Sequence, residues 1–483
     1  MGSVRQDTLK GSKWAAVEKI SSQGIQFVIG IILARLLSPS DFGVVGMLAI
    51  FIAISQTFVD SGFSNALIRK IDRTDVDYST TFYFNIAVGV ICYGIMWIIS
   101  PWVAEFFNTP ILSDLLKVLA ITIFFNSLAV VQIARLTVDI NFKAQAQATV
   151  LSVIISGVIG ILLAYWGYGV WALAWQQVSA AIIKTMVIWI QAKWLPHSKF
   201  SHESFHELFS FGSKLLASGL LGAVYSHLTS ILIGKFFSSK DLGIYTRGQQ
   251  FAHTPTSTVT GIISRVTFPI LSNFQNDNER LLQVYRKYIR VTSLIIFFPL
   301  MLLAALAHPM ILLLIGEKWE SCVIILQILC FSYMTDHITI LNLQLLQIIG
   351  RSDLYLNLEI IKRIISFTFL LFAIRFGIVA ICIATVVYAY IGLYVNAYYI
   401  GKCFHFGLTK QIKEIYLYYI CSFLSCLPAF FITTLSVHLA VQIVIGAIIA
   451  FLLYNILLFK DQTKIETLNI VKEYISKNNH ETT

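Results

Sequence analysis

The chain has 483 residues, 57% hydrophobic and 12% charged, with a mean hydropathy of +0.76. A soluble domain carries about 25% charged residues, so this composition excludes one and places most of the chain in lipid, where only helices or closed barrels satisfy the backbone. The 35 basic against 25 acidic residues matter by position rather than as a nucleic-acid footprint, and six of the seven cysteines (all but Cys403) sit in apolar segments, which excludes a disulfide framework or metal spacing.

In chain order, polar residues with Arg5, Lys10 and Lys13 precede the first apolar run, and no small-residue cleavage site follows it, as in an uncleaved signal anchor. Fourteen helical spans are predicted, each long enough for about 30 Å of hydrocarbon. Six fall in an N-terminal lobe over 1–200, at about 13–36, 42–67, 79–103, 113–136, 145–166 and 169–193. Six more fall in a second lobe over 201–405, at about 209–236, 242–270, 288–314, 321–349, 354–375 and 377–400. The last two, 414–435 and 437–459, occupy 406–460 and leave a tail over 461–483. With this count, one set of loops holds 22 Lys and Arg, and the other holds only Arg35, Lys235, Lys240, Lys318 and Arg375. The positive-inside rule then puts both termini in the cytoplasm.

An internal repeat organises the chain. RLLSPSDFG over 35–43 matches KFFSSKDLG over 235–243 without a gap, Gly11-Ser12-Lys13 matches Gly212-Ser213-Lys214, and YGVWA over 168–172 answers FGIVA over 376–380. A period of 200 to 208 residues spans six helices, so the halves point the same way. Ser38 with Asp41, and Ser238 with Asp241, have the spacing of an N-cap and an acidic third helical residue, with Pro39 suited to the first turn. Phe205, Leu208 and Phe209 share one side of 202–209, suggesting an interfacial helix that links the halves. Leu468, Val471 and Ile475 give a weaker amphipathic pattern in the tail.

Four segments carry a family likeness: ARLLSPSDFG (34–43), DSGFSNALIRK (60–70), DLGIYTRGQQF (241–251) and SRVTFPILSNF (264–274). With the fourteen spans and the repeat, the chain resembles the oligosaccharide flippases of the multidrug/oligosaccharidyl-lipid/polysaccharide transporter superfamily. The resemblance implies an all-α membrane protein, with two parallel six-helix lobes forming a V around a cavity, a further helix pair, and alternating access. It also implies a non-enzymatic carrier in the bacterial inner membrane. Its substrate would be an undecaprenyl-diphosphate-linked oligosaccharide, moved from the cytoplasmic to the periplasmic leaflet for capsule, O-antigen or exopolysaccharide assembly. Membrane lipids surround such a carrier, no cofactor is expected, and a coupling ion or proton, a polymerase and export machinery are further candidate partners.

A charge in the bilayer core needs a partner or a wet cavity. On helical spacing Arg247, Gln250, Thr254, Ser257, Gly261 and Ser264 form one polar face, with Arg265 beside it. Lys19, Gln23 and Gln26 make a stripe in the first span, Gln56 and Asp60 in the second, Gln177, Lys184 and Gln191 in the sixth, and Tyr333, His337, Gln344 and Gln347 in the tenth. Lys184 lies nine residues before Lys193, about 13 Å inward at about 1.5 Å per residue. For a diphosphate-bearing ligand, cations supply charge and amides and hydroxyls supply sugar hydrogen bonds. The candidate substrate-binding set is therefore Lys184, Arg247, Gln177, Gln250, Thr254, Ser257, Lys19, Gln23, Gln26, Asp60 and Arg265.

The plainer readings are structural. Lys19, Glu18 and Arg290 sit near helix ends and can snorkel; Glu359, Lys362 and Arg363 have the spacing of a local ion-pair cluster; Asp336 and His337 suit either a proton relay or an interhelical bond. The alternative function is a multidrug or small-solute ion-coupled antiporter, whose cavity would favour carboxylates over these cations. A membrane polymerase would need a large outer loop, which the chain lacks, and no glycine-rich phosphate loop points to an ATP motor.

Overall fold

In the computed structural model the described residues are 2–60, 62–467 and 469, with the side chains of 2–13, 15–17, 262, 265 and 266 outside that description. The tail pattern of Leu468, Val471 and Ile475 lies outside the described residues. All regular structure among the described residues is helical.

The helices are α1 (Gly2–Leu36), α2 (Pro39–Asp60), α3 (Phe63–Arg69), α4 (Asp75–Phe106), α5 (Leu112–Leu119), α6 (Ile121–Val138), α7 (Phe142–Tyr165), α8 (Val170–Ala192) and α9 (His202–Phe236). They continue as α10 (Ser239–Ser272), α11 (Asn278–Ala305), α12 (Ala307–Ile315), α13 (Cys322–Tyr333), α14 (Asp336–Ile348), α15 (Ser352–Ala373), α16 (Ile378–Phe404), α17 (Leu408–Ile432) and α18 (Leu439–Leu457). Among the described residues, 11 helices are long and apolar enough to cross a membrane. α1, α10 and α15 stand where three further spans are expected but are not among the 11. α10 carries Lys240, Asp241, Arg247 and two prolines, and α15 carries Asp353, Glu359, Lys362 and Arg363.

The predicted helix starts are explained by their caps. Asp41 Oδ2 accepts from Ser38 Oγ at 2.7 Å and Ser38 N at 2.8 Å, and Asp241 Oδ2 accepts from Ser238 Oγ at 2.7 Å and Ser238 N at 3.2 Å. Each thereby satisfies donors that a helix start would otherwise leave bare. Residues 202–209 do not form a separate interfacial helix: they are the first turns of α9, capped by Ser201. Their apolar side has a partner, since Phe205 stacks on Phe63 at 5.8 Å and meets Phe84 at 5.1 Å.

The chain divides into two compact units, 1–246 and 247–483. In the first, α7 buries Ser152 and Ser156 and presents Gly157 to α1 and Gly160 to α8, and a Cβ on Gly157 would stand 2.1 Å from Ile29 Cδ1. Small residues let membrane helices approach closely, where packing rather than water expulsion holds them together. Trp189 Nε1 donates to the Leu128 carbonyl at 2.9 Å and Trp194 Nε1 to Asp75 at 2.8 Å, fixing α8 and its exit to α6 and α4. At the basic end, Lys70 reaches Asp77 at 3.1 Å and Glu207 at 2.8 Å, and Ser204 also donates to Asp77.

In the second unit α11, α14 and α17 share a buried amide network. Tyr285 donates to Asn342, and Asn342 and Gln411 exchange hydrogen bonds at 3.2 Å in both directions. Tyr454 on α18 donates to the Leu294 carbonyl at 2.9 Å and its ring stacks on Phe298 at 4.5 Å.

Candidate functional site

In the first unit, polar side chains from three apolar helices join. Asn126 on α6 donates to Gln56 Oε1 on α2 at 2.8 Å, and Gln56 Nε2 donates to Asp60 Oδ1 at 3.1 Å. Lys184 on α8 is the cation whose charge acts on the Asp60 carboxylate. The next residue, Thr185, donates to the Phe125 carbonyl at 2.9 Å and so holds this turn of α8 against α6. The result is a chain Asn126–Gln56–Asp60 that ends on a carboxylate within reach of the Lys184 charge. Asp60 is exposed and Lys184 half-buried.

Of the predicted set, Asp60 and Lys184 are thus within reach of each other's charge. Gln177 is exposed on α8 and Gln26 on α1, while Lys19 and Gln23 are half-buried on α1; none belongs to the chain just described. Asn126 was not among the predicted residues. Its signal is a single amide inside the apolar run ITIFF-N-SLAVV over 121–131.

In the second unit Arg247 is only 9% exposed. Its Nη1 donates to Gln250 Oε1 at 2.6 Å, and its charge lies against Cys322 of α13. The two helices are close here, since a Cβ on Gly248 would stand 2.7 Å from Ile325 Cγ2. Thr254 and Ser257 donate within α10, to the carbonyls of Gln250 at 2.7 Å and Thr254 at 3.1 Å, which leaves their oxygens as acceptors. The side chain of Arg265 is outside the described ones. A further cluster joins α10, α13, α14 and α15: Gln249 hydrogen-bonds Tyr333, Lys362 pairs with Glu359 at 2.5 Å, and Lys362 also acts on Asp336. The expected local pairing of Glu359 with Lys362 and Arg363 is present, the latter at 3.6 Å. His337 takes an interhelical bond, its Nε2 2.9 Å from Ser293 Oγ.

The two copies of the repeated helix start meet inside the first unit. A Cβ on Gly43 would lie 1.7 Å from the Ser239 carbonyl oxygen, and one on Gly243 would lie 1.8 Å from that of Pro39. Ser40 Oγ and Ser239 Oγ are 2.6 Å apart. The reciprocity follows the 200-residue repeat, and only glycine permits the crossing.

A family model for "polysaccharide biosynthesis protein" matches residues 32–324, more than half of the chain. The chain belongs to this family. Among curated relatives, it is 25% identical to the teichuronic acid biosynthesis protein TuaB of Bacillus subtilis over 73% of its own length and 74% of that protein. It is also 25% identical to the lipopolysaccharide biosynthesis protein WzxC of Escherichia coli, over 68% of this chain and 67% of that one. Among solved structures, the lipid II flippase MurJ in an inward closed conformation matches 92% of this family member and 98% of that chain, with a TM-score of 0.72 at 13% identity. An inward-facing multidrug resistance MATE transporter of the MOP superfamily matches 79% and 98%, with a TM-score of 0.59 at 15% identity. The fold of this family member is thus the one shared by these two structures.

Proposed function

We propose that the protein is a flippase. It carries undecaprenyl-diphosphate-linked oligosaccharide units from the cytoplasmic to the periplasmic leaflet by alternating access of its two six-helix lobes, for capsule, O-antigen or exopolysaccharide assembly. The observation that carries this reading is the intramembrane chain of Asn126, Gln56, Asp60 and Lys184 within a family whose relatives are named for polysaccharide biosynthesis. A diphosphate competes with Asp60 for the Lys184 ammonium, while the amides and the oxygens of Thr254 and Ser257 suit sugar hydroxyls. Arg247 supplies a second cation through the same charge-assisted chemistry, and Gln177, Gln250, Lys19, Gln23, Gln26 and Arg265 complete the proposed binding set. Alternating access draws on the helix starts that cross at Gly43 and Gly243, a contact that must open if the two repeats are to move apart.

The antiporter reading draws on the exposed Asp60 carboxylate, as a site for a cationic substrate. Lys184 answers it, since a cation whose charge reaches the carboxylate weakens its pull on a second cation. The same carboxylate is the natural place for a coupling proton or ion if one is used.

Proteoliposomes holding a fluorescent polyprenyl-diphosphate oligosaccharide test the proposal. Wild-type protein should expose the lipid to a membrane-impermeant reagent in the opposite leaflet, and Lys184→Gln should slow this at least about tenfold, the loss of roughly 1.4 kcal/mol. Wild-type transport of cationic dyes with no flipping of the lipid would replace this reading with the antiporter.

A further inference from the structure

One end of the second unit carries more positive charge than its own pairs use. Arg286 and Arg290 on α11 both pair with Glu414 on α17, the first at 2.5 Å, so two cations share one carboxylate. Lys287 pairs with Glu466 at 2.7 Å, and Tyr418 donates to Asp461 at 3.2 Å. Lys413 and Lys460 are exposed and have no acidic partner among the described residues. Five basic side chains thus meet three acidic ones.

A cavity of about 530 Å³ is lined by the cations Arg290, Lys413 and Lys460, by the carboxylates Glu414 and Asp461, which are engaged by Arg286, Arg290 and Tyr418, and by apolar Leu417 and Leu457. A second cavity of about 300 Å³, lined by Arg286 and Lys287, shares Arg290, Gln462 and Thr463 with it. Lys413 stands five residues after Leu408, the first residue of α17, and Lys460 three residues after Leu457, the last of α18. Both lie where helices leave the hydrocarbon. Inorganic phosphate would use the cations and leave the leucines wet. A phosphodiester with acyl chains uses both the cations and the apolar part of the lining.

We propose that this is a binding site for the headgroup of an anionic phospholipid, with its phosphate on Arg290, Lys413 and Lys460 and an acyl chain along Leu417 and Leu457. Basic pockets between membrane helices are suited to such lipids. The bound lipid would tie α11, α17 and the segment after α18 to one membrane surface.

The test is native mass spectrometry of the full chain released from detergent with dioleoyl phosphatidylglycerol, dioleoyl phosphatidylcholine or inorganic phosphate. Phosphatidylglycerol should remain bound and the phosphatidylcholine with the same chains should not. The double variant Lys413→Gln/Lys460→Gln should bind phosphatidylglycerol roughly thirtyfold more weakly, from the contribution expected of two basic residues at an anionic surface. Lys402→Gln/Lys410→Gln makes the same charge change on neighbouring residues outside the cavity and should stay within about twofold. Leu457→Ser, which keeps every charge, should also weaken the lipid. Equal binding of the two phospholipids, equal effects of the two double variants, or phosphate binding that matches the lipid's would each overturn the site.

Discussion

A membrane-buried charge is judged by its neighbours, and Lys184 shows this. Its charge reaches Asp60, which is hydrogen-bonded through Gln56 to Asn126, so a single substitution leaves the remaining charge without its counter-charge and a double one does not. Lys184→Gln and Asp60→Asn should each lower thermal stability and flipping; the double variant should recover stability by about 1–3 kcal/mol relative to additivity while transport stays low. Additive stabilities in detergent would show that the two charges do not interact. Lys184→Arg keeps the charge with a different geometry and should be milder. Asn126→Leu, which cuts the far end of the chain, should cost about 0.6–2 kcal/mol, and no measurable loss would remove Asn126 from the network.

Outside the hydrocarbon, the Glu207 carboxylate, with Asp77 behind it, raises the Lys70 ammonium above its usual 10.5. A raised folded-state value contributes stability that is full below about pH 10.5 and is lost as pH climbs through the folded value. Glu207→Gln should therefore move the onset of alkaline unfolding, followed by circular dichroism, to lower pH. An unchanged onset would show that this bond adds nothing.

Among the elements, the crossing of α2 and α10 is the sharpest constraint. The reciprocal glycines leave no room for a Cβ, and Ser40 and Ser239 face each other at 2.6 Å. A Ser40→Cys/Ser239→Cys pair should crosslink readily under oxidation, stop flipping, and regain it on reduction. Crosslinked protein that still flips lipid would mean the crossing does not open during transport. Gly43→Ala should populate a state with the crossing apart, read as slower crosslinking in the cysteine pair. α9 makes a different point: the apolar side of 202–209 is an amphipathic pattern from which a partner helix cannot be told from a lipid surface, and Phe63 and Phe84 are the partner.

For the whole molecule, the basic bias of the loops makes the topology testable. Cysteine labelling should place residues 72–78, 200–206 and the chain after 460 on the cytoplasmic side, and 106–112 and 238–240 on the other. Labelling of the tail from the outside would reverse the assignment. The same experiment decides whether α1, α10 and α15 span, since omitting one of them inverts every loop that follows. The repeat boundary near residue 200 and the division of the compact units at Thr246 measure different things, ancestry in one case and contact in the other.

The sequence by itself determined the helical membrane class, the family likeness and the helix starts at Ser38 and Ser238, because hydrocarbon thickness, backbone satisfaction and capping are local constraints written in composition and short spacing. It also singled out Lys184 and Arg247 as deep charges on polar faces and placed Asp60 among the candidate residues. Only the tertiary structure decided that Asp60 and Lys184 act on each other, that Asn126 extends their chain, that Arg247 turns toward α13, and that Thr254 and Ser257 spend their protons on their own helix. Residues of one network on different helices lie 58 to 128 positions apart in the chain, and helical periodicity reports which residues share a face but not which other helix that face meets.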